Sequence, residues 1–391
     1  MESLQLIPID TNNQQLTKIK NLQATTLHRL LGYIPNSIHF KHNKLHTLPY
    51  DIVLIDECSM IDISLFAKLM DALQPHTKLI LLGDKNQLAS IEAGSIFGDI
   101  CNAKNGINQF TEFQKTQINK YIQSTAINND GISKSPSIVE DSIVELTKSY
   151  RFKDDDIIGL ISKAIINNQQ ETLNNILSNT HSTSFVLDEM YSDNIIEAFV
   201  NQLKQYIHEK DTANALKIFN EYKILCATRI GNYGTETINL KIEAYLAQLG
   251  LIDRSNILYE NKPIMITENH YDLGLFNGDI GIIRKNDEGV LKAWFWNIQT
   301  MQIEQHTPSI LPKFETVFAM TIHKSQGSEF KHILIVLPDN NSQVLNRELL
   351  YTAVTRAKES IMTQAKKENI LEICQIAVSR SSGLTQRLQN I

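Results

Sequence analysis

Two short apolar runs in the first hundred residues end in groups able to do chemistry. Asp56 and Glu57 follow Asp51-Ile-Val-Leu-Ile, and Asp84, with Gln87 three residues on, follows Lys78-Leu-Ile-Leu-Leu-Gly. At the carboxyl end of a buried strand one carboxylate can hold Mg²⁺, its neighbour can orient or deprotonate a water, and a glutamine can position that water. Taken singly, each group reads equally as a strand leaving its sheet at acids or as a Gly-Asp turn. What favours the chemical reading is that both acidic ends fall at one edge of one predicted sheet, where open α/β sheets bind ligands. Further along, His323-Lys-Ser-Gln-Gly-Ser-Glu329 follows another strand with the small and polar residues of a phosphate-facing loop; Lys324-Ser325 is also an ordinary helix start.

The elements that must position these groups alternate. Asp51–Asp56 and Lys78–Asp84 have the nearly continuous apolar texture of parallel strands buried on both faces. Between them Ser64 can cap a helix through Leu73, stopped by Pro75, which makes a βαβ unit. From Lys115 to Asp141 the chain turns polar and loses periodicity, as a connector would. Amphipathic stretches follow from Asp156 to about Leu177 and from Ile195 to Lys210. A strand is then predicted over Tyr222–Thr228, and a helix from about Thr235 to Leu249 that Gly250 ends. Short strands at Pro263–Thr267, Gly278–Ile283 and Leu291–Trp296 suggest a small inserted β-barrel. The α/β texture returns with strands at Thr316–Met320 and His332–Leu337, a helix over about Arg347–Lys358 and a last helix near Ile370–Val378.

Composition narrows the class. A chain of 391 residues predicts two to three domains, and 42% hydrophobic with 20% charged residues excludes a disordered or collagenous protein. The net charge of −6 is far from that of a protein that coats nucleic acid, so any nucleic-acid contact is local. Cys58, Cys101, Cys226 and Cys374 show no CxxC spacing, which suggests neither disulfides nor a zinc cluster and fits a reducing compartment. No run approaches the roughly 18 apolar residues of a membrane span, and MESLQLIPIDTNNQQ lacks a basic segment followed by an apolar one. The expectation is a cytoplasmic protein without a membrane partner.

The wording itself is recognisable. TLHRLLG at 26–32, LIDECSMID at 54–62, LLGDKNQLASIEAGSIFGDI at 81–100, LTKSYRF at 146–152, GLFNGDIG at 274–281, FAMTIHKSQGSEF at 318–330 and ELLYTAVTRAK at 348–358 stand in an order that resembles the RecD family. That family is the α subunit of exodeoxyribonuclease V (RecBCD), among the superfamily 1 helicases that move 5′ to 3′ on single-stranded DNA. The resemblance implies an α/β, P-loop NTPase (RecA-like) helicase fold with two parallel-sheet domains and a small SH3-like β-barrel insertion. It also implies ATP and Mg²⁺ as cofactors, and as partners single-stranded DNA at a duplex end with RecB-like and RecC-like subunits.

By the same resemblance Asp56 and Glu57 are the Walker B carboxylates, Asp56 holding Mg²⁺, and Asp84 and Gln87 couple nucleotide state to DNA. Arg151 and Arg356 match the two arginines that reach the γ-phosphate, where a fixed guanidinium stabilises transition-state charge. Gln326, Gly327 and Glu329 lie near the nucleotide in the family, while Thr26, His28, Thr321, His323 and Lys324 face DNA. On residue type alone His28 reads more simply as a packed histidine. Asn277-Gly278 belongs to the implied SH3-like insertion, where Asn277 faces DNA, and is also a good hairpin turn. The basic stretch His39–Lys44 falls where the family carries a strand-splitting hairpin, or is a solvated turn.

No GxxxxGK[ST] occurs in the 391 residues; Lys115, Lys134, Lys148 and Lys324, each followed by Ser or Thr, are preceded by Gln, Ser, Thr and His. The resemblance places that loop upstream of TLHRLLG, so the chain is expected to be the C-terminal part of a RecD-type protein with a destabilised or partner-dependent first domain. The expected layout is a partial RecA-like domain over 1–115, a connector over 116–145, a second RecA-like domain over 146–261 and 314–391, and the insertion over 262–313. Besides an ATP-dependent helicase in double-strand break repair, two readings stand: an ATPase-dead DNA-binding or assembly module, and a two-metal nuclease built on Asp56, Glu57 and Asp84.

Overall fold

A short, wholly apolar run, Ile52-Val-Leu-Ile55, forms the first strand. β1 (Ile52–Ile55) and β2 (Lys78–Leu81) pair in parallel with Ile55 opposite Leu81. Helix Ile63–Ala72 connects them and buries Leu69 and Ala72. Its cap is Asp62, whose carboxylate accepts from the Leu65 amide at 2.9 Å, and not Ser64. Aspartate and serine are comparable caps, so the register of the apolar face chooses between them. The strands are not buried on both faces as their texture suggested. Val53 and Ile55 join the core, while Ile52 is 59% and Leu54 50% exposed. Strand side chains alternate, so a layer against one face covers only every second residue.

The computed structural model describes residues 24–35, 37–89, 95–104, 108–121, 139–148, 156–178, 184–297, 300, 302–339, 344–378 and 383–389. By compactness the chain forms two units, one of residues 1–85, 89–103 and 381–391, the other of 86–88 and 104–380. In the first unit the short helix Leu384–Gln389 packs with helix Ile96–Asn102, where the Thr385 hydroxyl donates to the Asp99 carbonyl at 3.1 Å.

The second unit is built on β3 (Phe185–Asp188), β4 (Tyr222–Cys226), five antiparallel strands, β10 (Ala319–Thr321), β11 (Phe330–Val336) and β12 (Ala357–Gln364). The parallel sheet runs β10-β4-β11-β12-β3. Its core is large and apolar, drawing on Ile224, Leu225 and Ile333 to Val336 from the central strands. The antiparallel strands are β5 (Pro263–Ile266), β6 (Ile280–Lys285), β7 (Leu291–Asn297), β8 (Gln302–His306) and β9 (Phe314–Thr316), ordered β8-β7-β6-β5-β9. They carry a small core of their own around Ile264, Ile283 and Phe295.

Several elements differ from the sequence reading. The stretch 156–177 is two helices, Ile157–Ile166 and Gln170–Ser178, separated by Asn168 at φ 50°. The helix expected over 347–358 stops at Val354, and Ala357 begins a strand that pairs with β11 and β3. The expected strand 316–320 is two, because β9 closes the antiparallel sheet and β10 enters the parallel one. Helix Glu112–Tyr121 occupies the start of the expected connector.

Asn239, on helix Thr235–Gln248, holds the passage from β9 to β10. Its amide donates to the carbonyls of Thr316 at 3.2 Å and Ala319 at 3.1 Å, and its oxygen accepts from the Ala319 amide at 2.9 Å. Asn239→Ala strands these backbone groups and is expected to cost about 2 kcal/mol. Urea unfolding measures it; a loss below about 0.5 kcal/mol would show that the passage holds without the side chain.

Candidate functional site

In the first unit the parallel pairing of β1 with β2 brings Asp56 and Asp84 to one edge of the sheet. The Asp56 carboxylate accepts from the Glu57 amide at 2.9 Å, and Glu57 adopts the left-handed conformation, φ 53° and ψ 42°. For a residue with a Cβ this costs on the order of 1 kcal/mol. The chain then turns back, since the Cys58 amide donates to the Leu82 carbonyl at 2.9 Å and the Leu82 amide to the Ile55 carbonyl at 2.8 Å. A Cβ at Gly83 would meet Phe97 at 3.0 Å and the Cys58 nitrogen at 3.2 Å, so the residue before Asp84 must be small. Burial pushes the Cys58 thiol up to about 12, which keeps it protonated and inert beside the acids. Among the described residues no group of three or more His, Cys, Asp or Glu could hold a metal ion. Mg²⁺ held by one carboxylate and phosphate oxygens does not need such a group.

The second unit gathers a different set. Arg356 is 2% exposed, with Nε donating to the Thr352 carbonyl at 3.2 Å, Nη1 to the Ser328 carbonyl at 3.0 Å and Nη2 to Gln87 Oε1 at 2.8 Å. Residues 86–88 belong to this unit, and Leu88 is buried in its core. The Leu88 amide donates to the Thr352 hydroxyl at 2.9 Å, and its carbonyl accepts from Gln326 Nε2 at 2.8 Å. Gln87, Gln326 and Arg356, expected in one site, therefore share one hydrogen-bonded cluster. Thr352 was not foreseen, although its position one helical turn before Arg356 was a usable signal.

Gly327 has φ 76°, a conformation that favours glycine, and the Glu329 carboxylate pairs with Lys358 at 2.8 Å. Of the residues expected to face DNA, Thr321 lies just before the turn His323–Ser325, its hydroxyl accepting from the Lys324 amide at 3.3 Å. Lys324 pairs with Glu315 at 2.7 Å, and His323 lies half-buried. Asn277 is exposed in a turn where its amide donates to Asn269 Oδ1 at 2.9 Å and Gly278 takes φ 99°. Thr26 caps helix Leu27–Leu30 through the Arg29 amide at 3.3 Å. His28 is exposed, its ring meeting Phe40 edge-on at 5.7 Å. Around His39–Lys44 two isolated bridges, Tyr33 with Phe40 and Asn43 with His46, hold tight turns. Arg151 lies outside the described residues.

The alternating first unit and the parallel sheet with an antiparallel insertion give the α/β architecture expected of a RecA-like fold. An AAA domain model matches residues 2–93, and a UvrD-like helicase C-terminal domain model matches residues 316–362. In sequence the chain is similar to RecD subunits. It is 33% identical to the RecBCD enzyme subunit RecD of Haemophilus influenzae over 94% of this chain and 59% of that protein. It is 32% identical to the subunit of the same name from Buchnera aphidicola subsp. Schizaphis graminum, over 88% of this chain and 58% of that protein. The chain thus spans a little under three fifths of these relatives. A crystal structure of Pif1 helicase from Bacteroides in complex with ADP-AlF3 and ssDNA aligns with TM-score 0.49 and 17% identity, over 96% of this chain and 85% of that one.

Proposed function

We propose that this chain is the motor portion of a RecD-type subunit of exodeoxyribonuclease V, an ATP-dependent helicase moving 5′ to 3′ on single-stranded DNA in double-strand break repair. Asp56 holds Mg²⁺, Glu57 orients or deprotonates the attacking water, and Arg151 and Arg356 answer charge on the γ-phosphate. Asp84, Gln326, Gly327 and Glu329 serve the nucleotide, while Thr26, His28, Asn277, Thr321, His323 and Lys324 serve the DNA strand. RecB-like and RecC-like subunits are the expected partners, in the cytoplasm; among the described residues no helix is long and apolar enough to cross a membrane.

The observation that carries this reading is the contact of Gln87 with Arg356. A glutamine of the motif that couples nucleotide state to DNA touches an arginine of the motif that reads the γ-phosphate, although 269 positions separate them.

The test mixes the 391-residue chain with a polypeptide bearing the family's GxxxxGK[ST] segment and measures ATP hydrolysis with and without single-stranded DNA. The chain alone is expected to turn over negligibly, and the mixture to hydrolyse ATP in a DNA-dependent way. A mixture that binds DNA without hydrolysis would favour the assembly-module reading. Mn²⁺-dependent DNA degradation by the chain alone, lost in Asp84→Ala, would favour the nuclease.

A further inference from the structure

In the parallel sheet of the second unit, β4 and β11 are neighbours whose chains diverge: β4 is followed in the sheet by β10 on one side, β11 by β12 on the other. The crevice outside the carboxyl ends of such a pair is where open α/β sheets bind ligands. A cavity of about 260 Å³ opens there, lined by Thr228, Ile230, Asn232 and Tyr233 after β4 and by Pro338 and Asp339 after β11. Arg229, between Thr228 and Ile230, instead lines a second hollow of about 610 Å³ together with Lys313, Lys324 and Glu315. One turn of chain therefore separates an aromatic, uncharged-to-acidic cavity from a mainly cationic one.

The two cavities suit the two halves of a nucleotide. Among the described residues no cation lines the smaller one, and Asp339 would repel a phosphate, whereas a neutral base could stack on Tyr233 and meet the amide of Asn232. Tyr233 is braced for this by Tyr191 from the turn after β3, with ring centres 4.5 Å apart. The cations of the larger hollow are engaged, Arg229 with Glu236 at 3.0 Å, Lys313 with Glu268 at 2.5 Å and Lys324 with Glu315 at 2.7 Å. Solvent-exposed pairs of this kind are weak, so a phosphodiester can compete for them. We propose that the β4–β11 edge binds one nucleotide of a DNA single strand, base against Tyr233 and Asn232, phosphate toward Arg229 and Lys324. The proposal rests on the DNA-binding reading above and adds to it a base-holding pocket.

The experiment measures anisotropy of labelled dT12, and of an abasic tract of equal length, on titration with the 391-residue chain and its variants. Tyr233→Ala is expected to weaken dT12 binding roughly tenfold and to leave the abasic tract unchanged, with Tyr233→Phe close to the unaltered chain. Tyr233→Trp should bind dT12 and lose indole fluorescence as the base stacks. Equal loss on both tracts, or dT12 binding indifferent to Tyr233→Ala, overturns the pocket while the DNA reading stands. Failure of the unaltered chain to bind either tract overturns the DNA reading and the pocket together.

Discussion

Lys223→Met is expected to stabilise the second unit by on the order of 4 kcal/mol at pH 7 and to flatten its stability between pH 7 and 10. Lys223 lies on β4, the strand between β10 and β11, and is fully buried. Among the described residues its ammonium nitrogen has no hydrogen-bond partner; the Phe219 ring lies 3.9 Å away and the Phe330 ring 5.8 Å. Burial alone draws its pKa down to about 7 from the ordinary 10.5. The folded state therefore sheds this proton near neutrality, while the unfolded chain keeps it until about pH 10.5. Between those values the unfolded state binds more protons, so stability rises with pH by up to about 1.4 kcal/mol per unit, and below pH 7 the penalty is complete. Methionine keeps the unbranched stem and has no charge to desolvate. Urea unfolding at pH 7 and pH 9.5, followed through Trp294 and Trp296, reads the effect. Parallel pH dependence in the two proteins would mean that Lys223 keeps its proton in the fold.

Arg356→Ala is expected to destabilise the second unit by about 3 kcal/mol, and Gln87→Ala by about 1 kcal/mol. The arginine fills a buried site and satisfies the carbonyls of Thr352 and Ser328, which its loss leaves without that donor. Gln87→Ala removes a single acceptor and leaves the guanidinium its two carbonyls. The double variant should lose less than the sum, because the two share one bond at 2.8 Å. Full additivity would deny the contact. In the reconstituted ATPase, Arg356→Lys should slow turnover by roughly 10³-fold if the fork meets the γ-phosphate, since an ammonium cannot reproduce its planar geometry. Unchanged turnover would confine Arg356 to a structural part.

The sequence already held the βαβ start, β4 and β11 of the parallel sheet, three of the five antiparallel strands and the helix ending before Gly250, since each rests on local apolar texture or a turn residue. β3 and β12 escaped because Phe185-Val-Leu187 is a run of only three apolar residues and Ala357–Gln364 is largely polar, so neither has the apolar texture of a buried strand. Asp62 in place of Ser64 was a choice between caps two residues apart, which only the packing of Leu69 and Ala72 resolves.

By itself the sequence determined which residues at strand ends are of types able to do chemistry and which sheet edge they follow, because a strand's end and its following turn are written in neighbouring residues. Tertiary structure decided their environments. That Gln87 belongs with Arg356, that Lys223 is sealed among aromatic rings, and that β1 exposes Ile52 and Leu54 all depend on side chains far away in the chain. Burial is a property of the assembled neighbours, and no local pattern specifies it.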